Sequence, residues 1–298
     1  MPREATLTGS AALPDDARLP DDAALPDDAA PVHRLGTALA PIPYRGGAFA
    51  PRAIPSWLAA LTFVAIVALW ETGSRTGVIS SIVLPAPSEA AAALGDLVET
   101  GMLWRHLGAS LQRLAIGWSA GTVAGVALGL LIGLVPLARA TFGPLVSALF
   151  PVPKIALLPL FVIWFGIGEG SKVATIFFGV FFPTVIATYG GVDGVDRTLI
   201  RMGQSFGLTR ASLVGKIVLP GALPAILSGM RISVAIAIIL LVAAEMIGAE
   251  YGIGAYILLA GALFATDQLI AGVAMLSALG LTAGWLLGRL ERALLRWR

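Results

Sequence analysis

Four ionisable residues lie inside long apolar stretches of the chain: Arg113, Lys154, Arg231 and Glu245. Charge inside hydrocarbon is costly, so each is a candidate for a buried ion pair, for contact with a charged solute, or for snorkelling to an interface. Arg231 and Glu245 share one stretch. Their 14-residue separation sets them about 21 Å apart along a helix and about 40° apart around it, too far to pair with each other. Lys154 stands among Pro151, Pro153 and Pro159, which break a helix and free backbone carbonyls. Other chemistry is sparse. The chain has no cysteine, and its two histidines, His33 and His106, are far apart. The three lysines are Lys154, Lys172 and Lys216, and none follows a phosphate-cradling glycine loop. No catalytic residue, metal site or bound cofactor is expected, and no ATP hydrolysis by this chain alone.

The elements that must position these groups are membrane helices. Of the 298 residues, 57% are hydrophobic and only 13% charged, with a mean hydropathy of +0.87, where a soluble domain carries roughly 25% charge. A net charge of +2 gives no reason to expect nucleic acid. Segments of about 20 apolar residues can cross the hydrocarbon, and six are expected near 54–70, 110–135, 142–165, 173–189, 222–247 and 268–287. Trp57 and Trp70 flank the first as interfacial anchors. The second carries Gly117, Gly121, Gly125, Gly129 and Gly133 along nearly one face. That face can serve close helix packing or line a passage.

Residues 1–53 differ from the rest. They hold three tandem hexads, LPDDAR at 13–18 and LPDDAA at 19–24 and 25–30. Proline and paired aspartates in every copy predict a solvated, disordered acidic tail. The division expected from sequence is a tail over 1–53, a first span and outer connection over 54–105, a core over 106–290 and a basic terminus over 291–298. Basic residues set the orientation. Arg34, Arg45 and Arg52 precede the first span, Arg197, Arg201, Arg210 and Lys216 lie between the fourth and fifth, and Arg289, Arg292, Arg296 and Arg298 end the chain. The connection between the last two spans has Glu250 and Asp267 but no Lys or Arg. Both termini and the 190–221 loop are therefore expected on the cytoplasmic side.

That loop is patterned as two short helices. Asp193 or Asp196 can cap the first, Leu199, Met202 and Phe206 give it an apolar stripe, and Gly207 can end it in a left-handed turn. Thr209 can cap the second, which carries Leu213 and Ile217 and is expected to stop at Leu219 and Pro220.

Gly207, nine further residues, then Ile217, Val218, Leu219 and Pro220 resemble the cytoplasmic signature of permease subunits in binding-protein-dependent ABC importers. The signature opens on Glu-Ala-Ala, where this chain has Arg201, Met202 and Gly203, so the acid's contacts are not carried over. Trp70 and Glu71, the 84–88 Leu-Pro-Ala-Pro-Ser run, His106, Ser110, Arg113 and Gly117 resemble the nitrate, sulfonate and taurine branch, as do Pro153, Lys154, Pro159, Trp164 to Gly168, Ala244, Glu245, Gly252 and Gly254. The resemblance covers roughly 57–290. It implies an all-α membrane protein with six transmembrane helices of the type I importer kind and a cytoplasmic coupling helix pair between the fourth and fifth. The coupling residues would be Arg201, Met202, Gly203, Phe206, Gly207, Leu208, Ile217, Leu219 and Pro220. Arg113, Lys154, Arg231 and Glu245 would be candidates for the translocation path.

The resemblance also implies partners: a second permease copy, ABC ATPase subunits carrying ATP and magnesium, an extracytoplasmic solute-binding protein and membrane lipids. The setting would be a bacterial inner membrane and the cargo a small anion such as nitrate, a sulfonate or taurine. The alternatives are a pyrimidine precursor of thiamine or, in another class, a stand-alone secondary transporter. The latter predicts two related halves and midplane carboxylates, and acids within the spans are scarce here.

Overall fold

Five glycines at a four-residue spacing decide how the bundle is assembled. In the computed structural model, which describes residues 56–296, they lie on one face of helix α3 (Met102–Leu134). A methyl group added at Gly117, Gly121, Gly125, Gly129 or Gly133 would come within 2.5 to 2.8 Å of helix α6 (Glu169–Asp193). The residues filling the groove are Ile176, Val180, Thr184, Thr188 and Val192, also four apart and all β-branched, hence fixed in rotamer within a helix. Both series ascend together, so the two helices run parallel. Lipid offers no hydrophobic force between helices, and close backbone approach maximises dispersion instead. Of the two readings of the glycine face, the structure supports packing.

Helix α9 (Leu219–Glu245) runs antiparallel to α6: Gly191 meets Ala222 and Ala225, and Gly179 meets Leu240. Helix α11 (Thr266–Leu294) lies antiparallel to α9, with Gly280 beside Ile238. The main buried cluster joins Leu114, Ile176, Val180, Leu241, Ile253, Met275 and Leu279. Trp118 Nε1 ties α3 to α9 by donating to Ser233 Oγ at 3.0 Å.

The proline-rich third stretch is two helices, α4 (Pro136–Leu149) and α5 (Leu158–Phe165). A 3-10 turn at Lys154–Leu157 links them, and the axis bends by 89°. Among the described residues five helical segments are long and apolar enough to cross a membrane, and six when the bent pair is taken as one span. Helix α1 (Ser56–Arg75) is held by its last turns. Trp70 Nε1 donates to Pro85 O at 3.0 Å, and Glu71 accepts from Ser88 N at 3.1 Å and Ser88 Oγ at 2.7 Å. Trp70 is thus a tie to the next segment as well as a flanking aromatic. Ser88 lies in the first turn of α2 (Pro87–Glu99), where Ala86 N also donates to Glu89 Oε2 at 3.0 Å. The 1–53 tail lies outside the described residues.

Candidate functional site

Three places gather the residues singled out in the sequence: a charged clasp at one end of the bundle, a helical knob at the other, and a break in the helix between.

The clasp lies where α3 and α6 begin and α9 ends. Arg113 Nε and Nη2 donate to the two oxygens of Glu169 at 2.6 and 2.7 Å. Arg113 Nη1 donates to Glu245 Oε1 at 2.8 Å and to the Tyr251 carbonyl at 2.7 Å. Glu245 is fully buried, and Oε1 also accepts from Ser110 Oγ at 2.7 Å. Glu245 Oε2 accepts from Gly254 N at 2.8 Å, and Ser110 Oγ from Ile253 N at 2.8 Å. These amides open helix α10 (Ile253–Ala262), so one buried carboxylate fills the site that a helix N-terminus offers to an anion. His106 Nδ1 lies 3.0 Å from Gly252 O. Gly252 has φ +150°, and a side chain there would strike the Glu245 carboxyl. Arg113 and Glu245 are therefore partners, and Nε, Nη1 and Nη2 of the guanidinium and both carboxylate oxygens of Glu245 are each engaged. Glu169, Ser110 and the backbone of 251–254 were not singled out as their partners, although Glu169 is the one acid in the 166–170 turn.

Arg231 does not join them. It pairs with Glu291 near the far end of α11, and both are partly exposed. Residues 117–121 read Gly-Trp-Ser-Ala-Gly, the spacing of a hydrolase nucleophile turn. They lie inside α3, however, and Ser119 is exposed and donates to Ile116 O at 3.3 Å. That is no nucleophile elbow. Among the described residues no three His, Cys, Asp or Glu side chains gather to hold a metal.

The caps and the central turn of the knob form as their residues predict, and the end of its second helix does not. Asp196 caps α7 (Arg197–Ser205) by accepting from Thr198 N at 2.7 Å. Gly207 has φ +71°, with Gly207 N donating to Gln204 O and Leu208 N to Gly203 O, the paired bonds of a Schellman stop. Thr209 caps α8 (Arg210–Leu213). Gly203 is buried where α7 crosses the next helix, and a methyl there would lie 2.7 to 3.2 Å from Leu213, Ile217 and Leu208. Leu199, Met202 and Phe206 face outward, Phe206 80% exposed. Arg201 lines a cleft with Asp193, Arg197, Ile200 and Gln204. The expected stop at Leu219 and Pro220 does not occur. The chain passes from α8 through a π-helical turn, Val214–Val218, directly into α9, with Leu219 N reaching back to Val214 O. The wide turn absorbs the break, and Pro220 falls where a missing N–H does no harm.

At the break, the half-buried Lys154 ammonium donates to Leu149 O at 3.1 Å and to Phe150 O. It lies over the rings of Phe182 and Phe150, 4.8 and 5.4 Å from their centroids.

Comparison with known proteins follows this geometry. Residues 121–296 match the family described as binding-protein-dependent transport system inner membrane component. The taurine transport system permease protein TauC of Escherichia coli (strain K12) is 36% identical over 241 residues, 79% of this chain and 88% of TauC. A Bacillus subtilis (strain 168) permease protein, SsuC, named for aliphatic sulfonates transport, is 35% identical over 81% of this chain and 88% of its own length. A chain of the MetNI methionine ABC transporter, solved in an inward-facing conformation, superposes with a TM-score of 0.57 at 20% identity, covering 66% of this chain and 97% of that one.

Proposed function

The chain belongs to the binding-protein-dependent transport system inner membrane components, and from that premise we propose that it carries small sulfonates, taurine among them, across the membrane for an ABC importer. It is a multi-pass inner-membrane permease, and ATP hydrolysis falls to separate ATPase chains. The observation that carries the cargo is the 36% identity with a taurine permease over 79% of the chain.

The knob is the part that ATPase subunits grip. Its apolar residues Leu199, Met202 and Phe206 stand exposed on a polar loop, and Arg197, Arg201, Arg210 and Lys216 make no ion pair among the described residues. Those cations, with the arginines of both termini, put the knob and the termini in the cytoplasm. The clasp then faces outward, toward a solute-binding protein. A second copy of the chain completes the path, which opens alternately to each side as ATPase closure moves the knob.

The test is uptake of radiolabelled taurine and an alkanesulfonate into vesicles holding this chain with its ATPase and binding protein. Uptake is expected only with ATP, ATPase and binding protein together. Uptake that persists without the ATPase would instead identify a secondary transporter, and no sulfonate uptake in the complete system would remove the cargo assignment.

A further inference from the structure

We infer that Lys154 is the cation that meets the sulfonate at the middle of the membrane, an assignment that rests on the sulfonate reading above. Its depth follows from α6. The ammonium lies over Phe182, which is 13 residues from Glu169 and 11 from Asp193 at the two ends of that helix. At 1.5 Å per residue it stands about 20 Å from one end and about 17 Å from the other. The group stands level with the middle of a helix long and apolar enough to span the hydrocarbon.

The other cations inside the bundle are already answered. Arg113 spends its guanidinium on Glu169, Glu245 and the Tyr251 carbonyl. Lys172 is buried beside that clasp, donates to Gly168 O at 3.0 Å and feels both its carboxylates. Arg231 pairs with Glu291, and Arg139 with Asp193. Lys154 has no carboxylate within ion-pair distance among the described residues. An ionised group kept at the midplane without a counter-charge marks a solute pathway by default.

Its surroundings suit a passing anion. Two of the three ammonium donors go to the carbonyls that end α4, and the third remains for a ligand. The carbonyls and the two ring faces hold the charge in place and temper it. A sulfonate stays ionised at any physiological pH, so it must be offset electrostatically while out of water. A single tempered ammonium offsets it weakly enough for release, as conduction requires. A bidentate guanidinium would hold it longer. The 89° break puts Lys154 at the start of a short 3-10 turn between two helices, an interruption that membrane proteins tolerate where it is buried in protein or lines a cavity.

The experiment separates charge from capping. Lys154→Gln keeps N–H donors for Leu149 and Phe150 but removes the charge, and Lys154→Arg keeps the charge. In the complete reconstituted system, Gln is expected to lower sulfonate uptake about tenfold or more at saturating loaded binding protein, while Arg, which keeps the charge but releases the anion more slowly, falls between Gln and wild type. ATPase copurification and the thermal midpoint in detergent should stay at wild-type values in both variants. Gln transporting as well as wild type, or losing uptake together with a lowered midpoint, would reduce Lys154 to a helix cap and overturn the assignment. If the wild type itself takes up no sulfonate, the cargo reading falls and this inference with it. If the wild type transports and Gln matches it, only the inference falls.

Discussion

At position 129 an added methyl would stand 2.5 Å from Thr188 Cβ and 2.8 Å from the Val185 carbonyl, whereas at position 284 it would meet nothing within 4 Å. The same substitution should therefore change stability in opposite directions. Gly284→Ala gains up to about 1 kcal/mol from helix propensity, and Gly129→Ala loses about 1–3 kcal/mol to overpacking. Thermal unfolding in detergent checks both. The ion pairs divide the same way by burial. Glu245→Ala strips the buried Arg113 of one counter-charge and leaves Gly254 N unpaired, at a cost of about 3–5 kcal/mol. It should also speed hydrogen exchange at residues 252–254. Arg231→Ala removes a partly exposed pair worth about 1 kcal/mol at most; equal losses in the two variants would contradict this account of the clasp. Arg113 and Glu245 were legible as charges inside apolar stretches. Their partnership was not, because it joins three elements through Glu169 and a loop backbone, and no periodicity within one segment encodes such a meeting.

Local signals of turn and cap chemistry carried the elements of the knob. Asp196, Gly207 and Thr209 each do what their side chains, or lack of one, favour. Gly207→Val forces a β-branched residue to φ +71°, which costs on the order of 1–2 kcal/mol and reshapes the knob without touching the spans. Expected are normal membrane insertion, weakened ATPase copurification and loss of binding-protein-stimulated uptake. Full coupling in this variant would mean that another part of the chain transmits the stroke. The helix ends were less legible. Helix α3 starts at Met102 and α11 runs to Leu294, because helices continue past the hydrocarbon where polar residues keep helical spacing. Helices α2 and α10 escaped a search for spans because 13 and 10 residues are too few to cross a bilayer. The uninterrupted passage from α8 into α9 escaped because a π turn has no plain sequence signature.

For the whole molecule, composition alone identified a membrane protein, and the glycine spacing located the principal seam. What composition could not supply is the link between the two ends. Helix α9 begins beside the knob at Leu219 and finishes in the clasp at Glu245, about 40 Å away, and it is bound laterally to α6 along most of that length. Displacing the knob therefore pushes on the rod that carries the clasp carboxylate. Apolar α1 stands largely apart from this assembly, with 6% of its span buried, and its apolar surface is free to meet lipid.

A rail whose teeth repeat every four residues on both edges has a vernier's ambiguity. Sliding α6 by one turn would seat Val180 against Gly117 and Val192 against Gly129, forfeiting one of the five contacts that the seam makes in place. Phase must therefore be set at the rail's ends. Arg113 locks to Glu169 at one end, and at the other Arg139, which also donates to Ile132 O, locks to Asp193. Removing both locks, as Glu169→Gln with Asp193→Asn, should let a second register appear about 6 Å away. The native chain has no cysteine, so spin labels at Leu134→Cys and Gly190→Cys, in labelled chain diluted with an excess of unlabelled chain, would report the distance within one copy. Two distance populations are expected in the double variant and one in the parent. A single population in both would mean that the teeth themselves distinguish one register from the next.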